Sequence, residues 1–205
     1  GNVPVPPPGF VTRSGITAQI EEALRASPRT PGAVTVLALQ GIPGAGKTTI
    51  AAYLARTLAL RQQFGDGVLW LTLGPRPGNL RNLAGGIIQA FDRSYQPREQ
   101  QTTLGRLKEI LRPKRCLLIL DDLWDPTHAR ALLPDGPRCK VLLTTRDAAL
   151  AHELGARILP VDVLEPDEAL ALLSEHTGQA LSPRDEAVAR AICVDLGFHP
   201  LALHL

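Results

Sequence analysis

The chain has 205 residues, 44% of them hydrophobic and 20% charged, enough for one α/β domain or one domain and part of a second. Its 22 basic and 20 acidic residues leave a net charge of +2 with no run of one sign, and 4% of residues are aromatic, so neither a polybasic surface for nucleic acid or membrane nor a stacking platform for single strands is indicated. Cys116, Cys139 and Cys193 are too far apart for a metal or redox motif, and no apolar run approaches the ~20 residues that span a bilayer, so a cytoplasmic protein is expected.

Four prolines among the first eight residues predict an extended lead-in over 1–9. Ile16, Ile20, Ala23 and Leu24 then recur at helical spacing from Ser14 to Ser27, with Pro28 as the stop and a turn at 29–32. An apolar run from Val34 to Leu39, closed by Gly41, reads as a buried strand. The alternation repeats with a helix over 47–60 (Ile50, Tyr53, Leu54, Leu58) and a strand over 67–73. Helices marked by Leu80, Leu83, Ile87 and Phe91 and by Leu104, Leu107, Ile110 and Leu111 precede a strand over 116–121. A short helix near 127–133, a strand over 140–145, a helix from Asp147 and a weaker strand over 157–163 complete the series. Five strands alternating with helices predict an α/β domain over 10–164, a parallel sheet covered by helices on both faces. Beyond Leu164 strands cease; helices over 166–175 and 183–196 read as the start of a helical subdomain over 165–205. With no methionine and an end inside Pro-Leu-Ala-Leu-His-Leu, the chain is expected to be a piece of a longer protein.

Gly41-Ile-Pro-Gly-Ala-Gly-Lys-Thr48 fits GxxxxGK[ST] and lies between a predicted strand and a predicted helix, as a P-loop must. Its small residues let the N–H groups of Gly44, Ala45, Gly46, Lys47 and Thr48 point at one phosphate, and the following helix adds positive potential. Lys47 has the reach for β- and γ-phosphates, and the Thr48 hydroxyl is a hard oxygen ligand for Mg²⁺. A glycine-rich turn with an incidental lysine is the alternative. Leu117-Leu-Ile-Leu-Asp-Asp122 places two acids at the carboxyl end of a buried strand, the edge where open α/β sheets bind ligands. Asp121 is expected to hold Mg²⁺ through water and Asp122 to polarise an attacking water; alone, such a pair is more often a solvated strand end. Lys140-Val-Leu-Leu-Thr-Thr-Arg-Asp147 ends another buried strand in Arg146, which lies beside the γ-phosphate if this strand neighbours the first. A surface pair between Arg146 and Asp147 is an equal alternative.

Together with Gly9-Phe-Val-Thr-Arg13, Phe64 to Leu73, Leu118-Ile-Leu-Asp-Asp-Leu-Trp124 and Gly197-Phe-His-Pro-Leu-Ala-Leu203, these segments resemble the core of the NB-ARC ATPases over nearly the whole chain. That family of signal-transduction NTPases includes plant disease-resistance proteins and the animal apoptosome scaffold. The resemblance implies a P-loop NTPase in which Gly41 to Thr49 cradle the phosphates, Phe10, Val11, Thr12 and Arg13 lie over the adenine, and Arg146 senses the γ-phosphate. It also implies that Pro200, with Leu201, closes the base side. On residues alone, Phe10 and Val11 also read as a hydrophobic staple and Pro200 as a helix start. Three departures stand out: Pro43 replaces a usual Gly, Phe198-His199 stand inside the usual Gly-Leu-Pro-Leu, and the winged-helix part that contacts the ADP β-phosphate is missing. His128, His152, His176, His199 and His204 show no metal-ligand spacing and read as ordinary, with His204 near the phosphates only if the last helix docks; Trp70 and Trp124 read as packing residues.

The function expected is a switch that binds ADP or ATP with Mg²⁺, hydrolyses ATP slowly, and couples nucleotide state to self-association of a larger parent. A metabolic P-loop phosphotransferase is the runner-up, weakened by the want of an Arg-rich lid. An ATPase module of a DNA-binding regulator is the third reading, though these residues contain no basic recognition helix.

Overall fold

A computed structural model describes residues 3–27, 32–96, 100–177 and 182–204. The expected stop at Pro28 and most of the turn after it lie outside the described residues. Elements follow the order α1 (Ser14–Arg25), β1 (Thr35–Gln40), α2 (Lys47–Arg56), α3 (Leu58–Gln63), β2 (Gly67–Gly74), α4 (Leu80–Phe91), α5 (Gln100–Leu111) and β3 (Cys116–Leu123). Then come α6 (Pro126–Leu132), β4 (Lys140–Thr145), α7 (Ala148–Glu153), β5 (Arg157–Pro160), α8 (Pro166–Thr177), α9 (Pro183–Asp195) and α10 (Pro200–His204).

The five strands form one parallel sheet in the order β2-β3-β4-β1-β5. Alternate side chains leave a strand on opposite faces, so near-continuous apolar strands demand two covered faces. Ala38, Leu118, Leu120, Val141 and Leu143 pack with Ile88 of α4, Leu107 of α5, Leu132 of α6 and Ala151 of α7. Leu37, Leu39, Leu117, Ile119 and Leu142 pack on the other face with Ile20 and Leu24 of α1, Leu54 of α2 and Leu60 of α3. The lead-in also reaches this second layer, where Val3 packs against it and the Val3 carbonyl accepts a hydrogen bond from Arg56 at 3.2 Å.

Two predicted elements differ from the periodicity. The single helix expected over 47–60 is broken at Thr57, whose backbone is extended (φ −64°, ψ 141°). Its hydroxyl donates to the Leu54 carbonyl at 2.9 Å and caps α3, the local bonding by which threonine competes with a continuous helix. The break turns Leu60 and Phe64 into the core and leaves Leu58, expected on the apolar side, 71% exposed. The last strand ends at Pro160 instead of Val163. It lies at an edge of the sheet, and beyond it the Asp162 and Val163 carbonyls accept from Arg13 at 2.9 and 2.7 Å, so the chain has left the ladder.

Past Leu164, α8, α9 and α10 form a small cluster of Leu164, Ala169, Leu172, Cys193 and Leu203, against which Val11 packs. Among the described residues no helix is long and apolar enough to cross a membrane. The central strand offers a direct measure of the packing. Leu142 is fully buried, so Leu142→Ala is expected to cost about 2–5 kcal/mol, read as a lowered urea midpoint with an unchanged m-value.

Candidate functional site

Strand order brings the motifs together. β1 and β3 flank β4, so the loop after β1, the acids ending β3 and Arg146 after β4 all meet at the carboxyl edge of the sheet. Gln40 pairs with Thr145, which makes β4 the neighbour that Arg146 requires in order to face the loop.

The loop from Gly41 to Gly46 reaches α2 through left-handed backbone at Gly44 (φ 76°) and Gly46 (φ 92°). Gly44 has a second constraint: an added Cβ would run into His199 Cε1 and lie 2.9 Å from Leu201 Cβ. His199 accepts the Ala202 N–H on Nδ1 at 3.3 Å, so its Nε2 carries the proton and donates to the Pro43 carbonyl at 2.9 Å. Pro43 brings no N–H to the loop, and the carbonyl it does offer is taken by the helical subdomain. The Lys47 ammonium folds back on the Gly41 and Ile42 carbonyls at 2.8 and 2.7 Å. Its pKa is lowered, first by burial and then by the Arg146 charge, against the opposing pull of Asp122 and Asp121. Two cations facing one space favour an anion between them.

Asp121 is buried, and its Oδ1 accepts from the hydroxyls of Thr48 at 2.7 Å and Thr144 at 2.8 Å. A hydroxyl donating its one hydrogen keeps lone pairs for a cation, so Thr48 and Asp121 supply oxygens suited to Mg²⁺, which takes few protein ligands beside phosphate and water. Register with β4 shifts between Leu120 and Leu123, and Asp122 takes a left-handed conformation (φ 55°). This bulge releases Asp122 from strict alternation, and its side chain lines the cavity beside the loop. The Asp122 N–H donates to Thr144 Oγ1 at 2.8 Å. Arg146 forms no pair with Asp147, whose carboxylate instead caps α7 by accepting from Ala149 N at 2.7 Å. The Arg146 guanidinium lies over the Trp124 ring, 4.8 Å from its centre.

A cavity of about 310 Å³ joins these groups. Gly44, Ala45, Gly46, Lys47, Thr48, Thr49, Asp122 and Arg146 line it as the polar share, and Phe10, Val11, Pro200 and Leu201 as part of the apolar share. Such a divided lining matches a ligand with a flat apolar part and a charged part. Thr12 is absent from the lining; it is exposed beside Arg13. Asp121 is absent from the lining and meets it through the Thr48 and Thr144 hydroxyls. Arg13 lines the cavity yet is mainly a staple: it donates to the Ala45 carbonyl at 3.2 Å and to Asp162 and Val163, while its Nε stands 3.3 Å from Glu168 in an ion pair without hydrogen-bond alignment. α10 does dock on α8, where His204 shares a hydrogen bond of 2.7 Å with His176 and joins the lining. Sequence reasoning missed Pro7, Pro8, Ile50, Thr144, Leu164 and Leu172 in the lining. Only Thr144 carried a signal, as a polar residue closing a buried strand.

Comparison with known proteins places most of the chain in one family. The sequence signature of the NB-ARC domain matches residues 16–182. Apoptotic protease-activating factor 1 of Danio rerio is 34% identical over 222 aligned residues, which cover 100% of this chain and 17% of that protein. The regulatory protein AfsR of Streptomyces coelicolor is 29% identical over 204 residues, 96% of this chain and 20% of its own length. The chain thus spans about a fifth of the curated relatives it matches. Among solved structures, a signal-transduction ATPase with a tetratricopeptide repeat sensor from Pyrococcus horikoshii superposes with a TM-score of 0.64 at 19% identity, over 95% of this chain and 29% of that one. The ORC2 protein of Aeropyrum pernix in its ADP form superposes at 0.66 and 18% identity, over 99% of this chain and 63% of that one; both likenesses concern the fold.

Thr144 ties the two acids together, which makes it the residue to test. Thr144→Val leaves the Asp122 N–H and one Asp121 oxygen short of a partner, with an expected loss of about 1–3 kcal/mol in urea unfolding. Thr144→Ser keeps the hydroxyl and should recover most of that stability.

Proposed function

The chain belongs to the NB-ARC domain family, and from that premise we propose that it is the nucleotide-binding core of a signal-transduction switch ATPase. The observation that carries this reading is the meeting of Gly44 to Thr49, Asp122 and Arg146 with Phe10, Val11 and Pro200 around one cavity. In this reading the phosphates of ADP or ATP lie against the loop and the N-terminus of α2, and Lys47 leaves the Gly41 and Ile42 carbonyls to meet them. The adenine takes the apolar share of the lining. Mg²⁺ is held by Thr48 with Asp121 behind it, and supplies charge neutralisation for the phosphate oxygens.

Asp122 is the group that polarises a water for slow hydrolysis, and Arg146 is the contact that only ATP makes. A ligand drives a switch only through contacts that differ between two states, so Arg146 and Asp122 carry the γ-phosphate dependence. In a longer parent, the nucleotide state is read out as self-association, in a cytoplasmic setting. The contacts of Arg13 with Ala45 and Glu168 and of His199 with Pro43 support a link between nucleotide and subdomain, since they tie α8–α10 to the loop that meets the phosphates.

Two measurements test the reading. ADP at ~100 times its dissociation constant adds ~2.7 kcal/mol of stability, visible as a raised melting temperature, and Lys47→Ala is expected to remove most of that shift. Asp122→Asn should leave ADP affinity within about twofold while ATP hydrolysis falls by tenfold or more, as expected for an acid acting on water in the transition state. No thermal response of the unmodified chain to millimolar Mg-ADP would refute the assignment.

A further inference from the structure

Arg146 is exposed, and among the described residues its side chain meets Trp124 and no carboxylate. Both partners start from fixed backbone. The Leu123 carbonyl accepts from Thr145 Oγ1 at 2.9 Å, and Asp125 caps α6 by accepting from Thr127 N at 2.8 Å, so Trp124 stands between two anchored residues. The Arg146 carbonyl accepts from Gln40 Nε2 at 3.2 Å. Between these supports the guanidinium lies over a ring that is 48% exposed, too open to be a core packing residue.

We propose that Trp124 is a positioning residue for Arg146, a platform that holds the guanidinium in the cavity wall ready for a γ-phosphate. Attraction between a cation and a ring face acts on the charge and leaves the N–H donors in the guanidinium plane for an anion. Without the ring, Lys47 opposes the placement, because the two cations repel across the space that phosphate fills; Arg146 is the second cause of the lowered Lys47 pKa. A free arginine side chain also loses rotamer entropy when it is caught by phosphate, and holding it beforehand removes part of that cost. The platform therefore strengthens the ATP complex and leaves the ADP complex alone. This rests on the assignment of Arg146 to the γ-phosphate made above.

The test is isothermal titration of the 205-residue chain with Mg-ADP and with a non-hydrolysable Mg-ATP analogue. Arg146→Ala is expected to raise the analogue dissociation constant about tenfold or more and to spare ADP. Trp124→Leu should raise it roughly two- to fivefold and spare ADP, while Trp124→Phe, which keeps a ring face, recovers most of the loss. In the Arg146→Ala background, Trp124→Leu should change nothing further. Trp124 emission should respond to the analogue more than to ADP, with buried Trp70 as a constant background, and the difference should vanish in Arg146→Ala. If Arg146→Ala leaves analogue affinity intact, the γ-phosphate assignment fails and the platform with it. If Arg146→Ala acts as stated but Trp124→Leu costs nothing, or weakens both nucleotides equally, the assignment stands and the platform is overturned.

Discussion

Asp121, 3% exposed at the end of β3, accepts from Thr48 on α2 and from Thr144 on β4, and the layout of the sheet's carboxyl edge depends on that shared oxygen. A carboxylate buried without donors is strongly unfavourable, so the two hydroxyls stabilise the folded arrangement of the three elements that carry them. β3 and β4 are neighbours in the sheet, but α2 belongs to the layer above it, and the Thr48 hydrogen bond ties that helix to the strands. The start of α2 is thereby fixed relative to both acids.

Asp122 shows what this arrangement costs. Its left-handed backbone is unfavourable for a residue with a Cβ by roughly 1–2 kcal/mol, least so for Asp and Asn. The strain is held by the N–H donated to Thr144 and by Leu123, which rejoins the register opposite Thr145. Regular strand geometry would have sent one of two consecutive acids away from the loop. The bulge instead leaves Asp121 on Thr48 and brings Asp122 to the cavity wall, a local distortion of the kind that accumulates where a fold must aim a side chain.

Backbone carbonyls anchor the side chains that bracket the loop and the segment leading to the helical subdomain. Arg13 takes those of Ala45, Asp162 and Val163, and His199 takes that of Pro43. Contacts of this kind depend on the path of the chain and little on which side chains surround it. Of these contacts the His199 hydrogen bond crosses from the subdomain to the loop, and the Arg13–Glu168 ion pair adds a crossing to α8.

Apolar periodicity was sufficient to determine the five parallel strands, their covering helices and the change of character at Leu164, because burial on one or two faces leaves a period in the sequence. It failed at Thr57, where a hydroxyl bonding its own turn outweighed the helical pattern, and at Pro160, where the edge strand stopped as Arg13 took the next carbonyls. The GxxxxGK[ST] loop, Asp121, Asp122 and Arg146 were legible as candidates because each is a residue type at a required spacing on a strand or helix end. Only the tertiary structure decided between Asp147 and Trp124 as the companion of Arg146, and only it revealed Thr144 and His199. Thr144 acts on a residue 22 positions away and His199 on one 156 away, through contacts set by strand order and helix docking. Such partners leave no period in the chain, since what brings them together is the path of the backbone in space.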